Sequence, residues 1–458
     1  MNPNGNSGGV SRRTFLRLSA GATLLAGAGA MLSSCAPATA PGGQAGTDAA
    51  PGAQEAITLR LVSNHGESDV PLFQAVIDKF AAANPQIKID YLDIAGSEFY
   101  DSINAQGAAQ QLPDIWYTRT FDIPVYASKG WTTNLQPLID RDASEVNADD
   151  FWPAQVAQMK WDNQLYALPY DFSNVGIYYN KKMFDAESIG YPPEEWQWPD
   201  LAEMGVKFVQ KDASGNFTRW GLQLYNWNWV FHGLILGWGG KIFSDDLSEC
   251  VIDSPESREC FSFFNDVREQ GLYPEAGASP AGVDPFASDL LPMAFQGSWA
   301  TTSMRANIGD KFDFDCTAMP LSPTGSSCIN AAGGAWGIAT NTADLEAAWT
   351  FLKFLTSTES TNMLISEPLR SIPGRKSSVP LWNEKAMEGG LPPANVAVFA
   401  TQMDIANAAP FPPYWQDYGN AWNNMIAPMI DGVTADGPDV VLPAFQEEVN
   451  RLIAQSQA

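Results

Sequence analysis

The side chains that most often do chemistry are scarce in this chain or lack the spacing that a reaction needs. Only two of the 458 residues are histidines, and no H-E-x-x-H, G-x-S-x-G, P-loop or G-x-G-x-x-G motif occurs. A glycoside hydrolase would need two carboxylates about 5–10 Å apart, and nothing marks such a pair among the 52 acidic residues. The sequence therefore gives little support to nucleotide binding, zinc chemistry or catalysis by imidazole.

The five cysteines divide into one near the N-terminus and four in the body of the chain. The local pairings are Cys250 with Cys260 and Cys316 with Cys328, although four cysteines permit three connectivities. Disulfides that close such short loops contribute up to about 2–3 kcal/mol. No pair has C-x-x-C spacing, so the sequence gives little support to a zinc site. We therefore expect structural disulfides.

The first 35 residues predict where the protein works. Arg12 and Arg13 precede an apolar run, residues 18–32, that is too short and too rich in Ala and Gly to make a good membrane span. The arginine pair looks like a twin-arginine export signal. The run ends in Leu-Ser-Ser-Cys, which resembles a bacterial lipobox. Residues 1–35 are thus expected to be a lipoprotein signal peptide with Cys35 as the lipidated residue, and an uncleaved anchor is the alternative.

Composition and charge limit what the rest of the chain can be. Residues 36–55 are rich in Ala, Gly and Pro and predict a flexible linker. The roughly 400 residues that remain are too many for one comfortable core, so two lobes are expected. A net charge of −26 argues against nucleic acid or an anionic membrane surface as a partner.

The first part of the folded chain is predicted to alternate between strands and helices, and these elements would position a binding site. The predicted elements are, in order, a strand at 57–62, a helix from about 69 to 83, a strand at 87–91, a helix at 97–110 and a strand at 114–117. This βαβαβ order predicts an α/β fold with a parallel sheet. Ligands bind such sheets at the carboxyl ends of the strands, which here are residues 64–67 and 118–122.

Several segments, in the right order from about residue 57 to the C-terminus, resemble the extracellular solute-binding proteins of ABC importers, the family that includes maltose-binding protein. The matching segments are Ile57–Asp93, Leu112–Ile115, Leu165–Tyr170, Gly176–Phe184, Met293–Trp299, Gly333–Ile338 and Ala347–Thr356. No single segment is specific, but together they indicate the family.

The resemblance implies a periplasmic-binding-protein-like fold of two α/β lobes, with a ligand cleft between them and a hinge that the chain crosses three times. The crossings are expected near 169–173, 320–325 and 356–361. The first lobe would then comprise 56–170 and 323–358, and the second 171–322 and 359–458.

The resemblance also implies a function. We expect an extracytoplasmic lipoprotein, on the outer face of the cell membrane or in a periplasm, that delivers a sugar to an ABC transporter permease. It would act as a monomer without a cofactor, touch the membrane only through its lipid, bind no nucleic acid and perform no chemistry.

Aromatic residues indicate the type of ligand. Sixteen tryptophans are more than usual, and aromatic rings stack on the C–H face of a pyranose while polar groups bind its hydroxyl rim. Trp299, which follows Gly-Ser at a turn, matches a sugar-stacking position of the family. Trp336, Tyr414 and Trp415 are further candidates.

A second aromatic group is expected to be structural. Trp227, Trp229 and Trp238 flank His232 in a stretch that reads as a buried helix. We expect the core for all four, although long-cleft oligosaccharide binders use this region.

The polar candidates lie at strand ends and near the hinge. They are Asn64, His65 and Glu67 after the first strand, Tyr117, Arg119 and Asp122 around the third, and Asp171 and Ser173 at the first crossing. Arg375 matches a family loop and is expected to be structural.

Two alternatives stay open. The same fold could bind a polyamine, a metal such as iron, or a phosphorylated polyol; the adjacent Tyr178 and Tyr179 would suit iron, but their strand position favours the core. The chain could instead be a secreted carbohydrate-active enzyme.

Overall fold

The structure is a computed structural model that describes residues 56–275, 277–278, 284–365 and 372–456. The expected signal peptide with Cys35 and the linker at 36–55 lie outside the described residues. The strands are β1 Ile57–Ser63, β2 Ile87–Asp93, β3 Ile115–Arg119, β4 Lys160–Trp161, β5 Gln164–Leu165, β6 Leu168–Ser173, β7 Val175–Asn180, β8 Gln210–Lys211, β9 Phe217–Arg219, β10 Met293–Gly297, β11 Phe314–Thr317, β12 Ala332–Ile338 and β13 Ile372–Pro373. The α-helices are α1 Val70–Ala83, α2 Ser97–Ala108, α3 Ile123–Ser128, α4 Gln136–Arg141, α5 Ala143–Val146, α6 Pro153–Gln158, α7 Lys181–Glu187, α8 Trp198–Val206, α9 Asn228–Gly237, α10 Pro255–Glu269, α11 Thr301–Ile308, α12 Leu345–Leu355, α13 Thr358–Leu364, α14 Val379–Ala386, α15 Val398–Thr401, α16 Trp415–Ile430 and α17 Pro438–Ser456. Within the described ranges, no helix has the length and apolarity to cross a membrane.

A six-stranded sheet builds the first lobe, in the order β13-β6-β12-β3-β1-β2. β1 pairs in parallel with both β2 and β3, and α1 and α2 connect them, so the predicted βαβαβ start is confirmed. The strands β6, β12 and β13 add to it in antiparallel pairs. α1 buries Phe73, Val76, Ile77 and Phe80, because residues three and four apart share the helix face that covers the sheet.

A three-stranded sheet, in the order β10-β7-β11, lies at the centre of the second lobe. Both outer strands pair antiparallel with β7, whose residues are all buried. The C-terminal helices α16 and α17 pack against each other and against α10. The second lobe is therefore built from the middle of the chain and completed by its end.

The chain passes between the two sheets at three places. Only Asn174 separates β6 of the first sheet from β7 of the second. This residue is fully buried, and its Nδ2 donates to the carbonyl of Phe399 at 2.7 Å. The second passage lies between β11 and β12, and the third follows β13.

The third passage differs from the expected position near 356–361. α13 packs on α1, and β13 pairs with β6, so the chain stays with the first lobe through Pro373. Met363 and Leu364 of α13 pack against the first-lobe core, which explains why the helix does not leave that lobe. Arg375 lies where the chain leaves the first lobe after β13, and its Nη2 donates to the Val146 carbonyl of that lobe at 2.9 Å.

The expected disulfides are not present among the described cysteines. Cys250, Cys260, Cys316 and Cys328 are all free thiols, and all four are buried. Cys316 lies inside β11, whereas Cys328 lies in the segment that leaves that sheet, so closeness in sequence does not bring the two side chains together. Burial raises the pKa of Cys250 to about 12 and those of the other three thiols further. The cysteines therefore act as small core residues.

Candidate ligand-binding cleft

A cleft of about 500 Å³ opens between the lobes where strands of both sheets end. Its volume falls within the range of small-molecule sites, about 300–1,000 Å³. The lining residues are Tyr100, Tyr117, Arg119, Phe121, Asp171, Ser173, Trp229, Trp299, Ala332 and Gly333. The structure thus brings together five of the residues predicted from the sequence, namely Tyr117, Arg119, Asp171, Ser173 and Trp299.

Two tryptophans form the wall contributed by the second lobe. Trp299 follows β10 and Trp229 lies in the first turn of α9, with their ring centroids 6.1 Å apart. Trp227 contacts both rings, at 6.2 Å from Trp229 and 5.9 Å from Trp299, and stacks on Tyr225 at 4.5 Å with the planes only 3° apart. A Cβ on Gly297 would overlap the Trp299 ring. The glycine therefore allows the ring to lie close against the backbone.

Arg119 is the positively charged group of the opposite wall. Its Nε donates to Oδ2 of the buried Asp122 at 2.7 Å, and its guanidinium lies 3.6 Å from the ring centroid of Tyr100 and 4.5 Å from that of Phe121. Within the described part of the chain, its Nη groups have no hydrogen-bond acceptor. They are therefore available as hydrogen-bond donors at this wall of the cleft.

The electrostatics keep that guanidinium charged. Burial alone would lower the pKa of Arg119, but the neighbouring Asp122 carboxylate outweighs it and holds the pKa well above its usual value. Asp122 itself is only 1% exposed, so it balances the charge of Arg119 from behind and does not line the cleft.

The hinge strands form the floor. Asp171 of β6 accepts a hydrogen bond from the backbone N–H of Gly334 at 2.5 Å, and Ser173 and Gly333 lie beside it. A Cβ on Gly334 would overlap the ring of Tyr117. The glycine pair that follows Ala332 thus lets β6, β12 and the Tyr117 side chain meet closely at the point where the lobes join.

Several predicted residues lie behind the cleft instead of in it. Trp336 is fully buried in the first-lobe core, where its ring packs against Phe73 at 5.7 Å and against Tyr117 at 5.8 Å. His65 is 7% exposed and packs edge-on against Tyr117 at 4.7 Å. Asn64 supports the wall, since its Nδ2 donates to the hydroxyl of Tyr100 at 3.0 Å. Glu67 is exposed and outside the lining.

Tyr414 and Trp415 are also buried, at 7% and 6% exposure. They belong to an apolar cluster that contains residues of both lobes, and Trp415 contacts Phe121 with the ring centroids 5.6 Å apart. These two residues therefore offer no stacking surface in the cleft, in contrast to the role that the family resemblance implied.

Five lining residues were missed from the sequence, namely the aromatic Tyr100, Phe121 and Trp229 and the small Ala332 and Gly333. Trp229 was expected in the core, but Trp227 and Trp229 are half-buried at the start of α9, whereas Trp238 and His232 are buried as expected. The Asn-rich turn just before α9 was the available signal that this end of the helix is partly exposed.

Nε2 of His232 is 2.7 Å from the Tyr418 hydroxyl, and burial lowers the pKa of His232 to about 3.

Together, the two sheets, the three passages and the lined cleft define a class of molecule, the two-lobed α/β binding protein. The family model for bacterial extracellular solute-binding proteins matches residues 75–389, and the chain belongs to that family. Proteins of this family act outside the cytoplasm.

Known relatives are distant in sequence. The maltotriose-binding protein of Pyrococcus abyssi is 23% identical over 299 residues, which cover 64% of this chain and 61% of that protein. This chain therefore spans about three fifths of that relative's length. The lactose-binding protein of Rhizobium radiobacter is 20% identical over 369 residues, 75% of this chain and 85% of that protein.

Solved structures share the fold. An ABC substrate-binding protein of Listeria monocytogenes in complex with cycloalternan has a TM-score of 0.73 at 20% identity, covering 87% of this chain and 99% of that one. The sugar-binding protein MalE of Xanthomonas citri also has a TM-score of 0.73, at 17% identity, covering 87% and 98%. At these identities the likeness establishes the fold alone.

Proposed function

We propose that this protein captures a neutral saccharide, such as an oligosaccharide or glycoside, between its lobes. The observation that carries the proposal is the opposition of two tryptophans, Trp229 and Trp299, to the Nη donors of Arg119 across one cleft. Flat apolar rings facing hydrogen-bond donors match a pyranose, which has a C–H face and a rim of hydroxyls.

Each wall would take one part of the sugar. The rings of Trp229 and Trp299 would stack on the C–H face, while the Arg119 guanidinium would donate to a pair of hydroxyl oxygens. Asp171 and Ser173 at the floor would accept from and donate to further hydroxyls. Because these residues come from both lobes, the sugar would stabilise the conformation in which the lobes are closed.

The relatives support this assignment. A maltotriose-binding protein, a lactose-binding protein and a structure holding cycloalternan are among the proteins to which the chain is similar. All three ligands are saccharides of two or more units. The cleft volume of about 500 Å³ suits a ligand of that size better than a single small ion.

We further propose that the captured sugar passes to an ABC transporter permease and that the protein is a monomer held to the membrane by a lipid on Cys35. The family and the arginine pair ahead of the Leu-Ser-Ser-Cys run support this step. Labelling with a radioactive fatty acid, lost in Cys35→Ser, would test the anchor.

The alternatives fit the cleft less well. A polyamine would require several carboxylates, and of the described lining residues only Asp171 is acidic. Tyr178 is fully buried, so it offers no iron ligand to the cleft. A glycoside hydrolase would need a second carboxylate beside Asp171. We therefore propose binding without catalysis.

Thermal unfolding of the purified protein against saccharides, polyamines, metals and phosphorylated polyols tests the proposal. A ligand at 100 times its dissociation constant adds about 2.7 kcal/mol of stability, which raises the unfolding midpoint visibly. We expect saccharides such as maltotriose or lactose to raise it. Trp299→Ala should abolish the shift, whereas Trp220→Ala, a half-buried tryptophan outside the cleft, should retain it. A shift with only a polyamine, metal or phosphorylated polyol would refute sugar binding.

A further inference from the structure

A row of stacked groups runs from the first-lobe wall of the cleft into the second lobe. Tyr100 contacts the Arg119 guanidinium at 3.6 Å, and the guanidinium contacts Phe121 at 4.5 Å. Phe121 in turn meets Trp415 at 5.6 Å. Three members belong to the first lobe, and the fourth begins α16 of the second. The contact between Phe121 and Trp415 therefore exists only while the lobes are together.

Trp415 is well anchored on its own side of the cleft. Its ring stacks on Tyr418 at 5.3 Å with 16° between the planes, and it meets Phe411 at 4.8 Å. His232 holds the Tyr418 hydroxyl at 2.7 Å. At 6% exposure, Trp415 is not among the described residues that line the cleft. Its described ring contact with a residue of the cleft lining is the one with Phe121, which also meets Phe411 at 5.7 Å.

The guanidinium of Arg119 needs such support on its aromatic side. Asp122 fixes its Nε at 2.7 Å, but a single hydrogen bond leaves the plane free to rotate about that contact. The rings of Tyr100 and Phe121 restrict that rotation, since guanidinium groups pack favourably against aromatic faces. Loss of the Phe121 ring, or of the residues that pack against it, would leave the Arg119 Nη groups without a fixed orientation.

We propose that Trp415 is a positioning residue for ligand capture: in the closed conformation it presses Phe121 against Arg119 and so aims the Nη donors at the ligand. The inference rests on the proposed binding function and deepens it. Closure of the lobes and orientation of the main donor become one event, so a ligand that uses Arg119 favours closure more than one that does not.

Calorimetric titration with maltotriose, and with lactose as a second probe, tests the inference. Trp415→Leu should bind about tenfold more weakly, the loss that accompanies misplaced hydrogen bonds from a charged donor. Trp415→Phe, which retains a ring against Phe121, should restore most of the affinity. Trp238→Leu is the matched control, since Trp238 is equally buried and contacts Phe263 and Phe264 within the second lobe. Its affinity should equal that of the wild type.

A double-mutant cycle separates positioning from a general structural effect. In an Arg119→Ala background, Trp415→Leu should cause no further loss, because the donor that it positions is gone. An equal loss in both backgrounds, or no loss from Trp415→Leu in the wild-type background, would overturn the inference.

A readout without ligand keeps this result distinct from failure of the proposed function. If neither saccharide binds the wild type, the proposed binding of these two sugars is refuted. The NMR signal of the Arg119 Nε–H, assigned by its loss in Arg119→Lys, still reports on the contacts of the guanidinium with Tyr100 and Phe121. The described arrangement of the lobes already brings Phe121 and Trp415 into contact, so this signal should shift in Trp415→Leu and stay in place in Trp238→Leu. An unchanged signal in Trp415→Leu would refute the positioning role.

Discussion

At the scale of single residues, the described lining of the cleft has two formal charges of opposite sign. Arg119 supplies the cation and Asp171 the anion, while Asp122 lies buried behind the guanidinium. A neutral ligand with many hydroxyls can satisfy both charges without bringing one of its own. A strongly charged ligand would leave an unpaired charge in a partly desolvated site, which is costly.

His232 gives a residue-scale prediction about pH. Burial lowers its pKa from 6.5 to about 3, so the folded state binds fewer protons than the unfolded state between those values. The stability that His232 contributes is complete above pH 6.5 and is lost as the pH falls towards 3, by up to about 1.4 kcal/mol per pH unit. Denaturant unfolding of the wild type and His232→Gln should show the wild-type advantage shrinking from pH 7 to pH 4. A constant difference would contradict the prediction.

At the scale of elements, the turn after β10 determines where the Trp299 ring lies. β10 is an outer strand paired with the fully buried β7, so its end is fixed by the sheet. The ring then lies against Gly297, where any side chain would occupy the same space. The sheet and one glycine thus place a ring at the cleft.

This arrangement predicts that Gly297→Ala displaces the Trp299 ring and weakens saccharide binding. We expect a loss of about two- to twelvefold, since a well-placed aromatic contact is worth about 0.5–1.5 kcal/mol beyond its area burial. Gly190→Ala is the control, because a Cβ there meets nothing within 4 Å. Titration with the saccharide found in the thermal screen measures both. Equal affinities in the two variants would argue against a role for the glycine.

The positions of the elements decide which parts of the fold and the site could be predicted from the sequence. The βαβαβ start followed from local spacing, and strand ends pointed to Tyr117 and Arg119 because parallel strands end at one edge. Asp171 followed from the expected position of the first hinge crossing. Trp336 was misplaced because the face of β12 that meets the cleft depends on pairing with β3 and β6, which local pattern does not reveal. Trp229 was missed because a half-buried ring at the open end of a helix resembles a core ring in sequence.

At the scale of the whole molecule, the two lobes share apolar contacts besides the three chain passages. One buried cluster contains Val62 and Trp116 of the first lobe together with Phe411 and Trp415 of the second. The passage at Asn174 is buried and hydrogen-bonded. The lobes are therefore not independent folding units.

We predict that the described chain unfolds in one cooperative transition. Since each lobe buries surface against the other, loss of one exposes apolar area of its neighbour. Differential scanning calorimetry should give equal calorimetric and van't Hoff enthalpies. Saccharide should move the whole transition upwards. Two separable peaks, of which ligand moves only one, would contradict the prediction.

The buried thiols give this molecule a practical use. Cys250, Cys260, Cys316 and Cys328 are all inaccessible within the described chain, so thiol-reactive dyes should not label the folded core. With Cys35 replaced by Ser, one cysteine introduced at exposed Glu67, beside the first strand's end, would become the single labelling position. A fluorophore attached there would report lobe movement as a change in emission, which turns the protein into a reagentless optical sensor for the ligand that it captures.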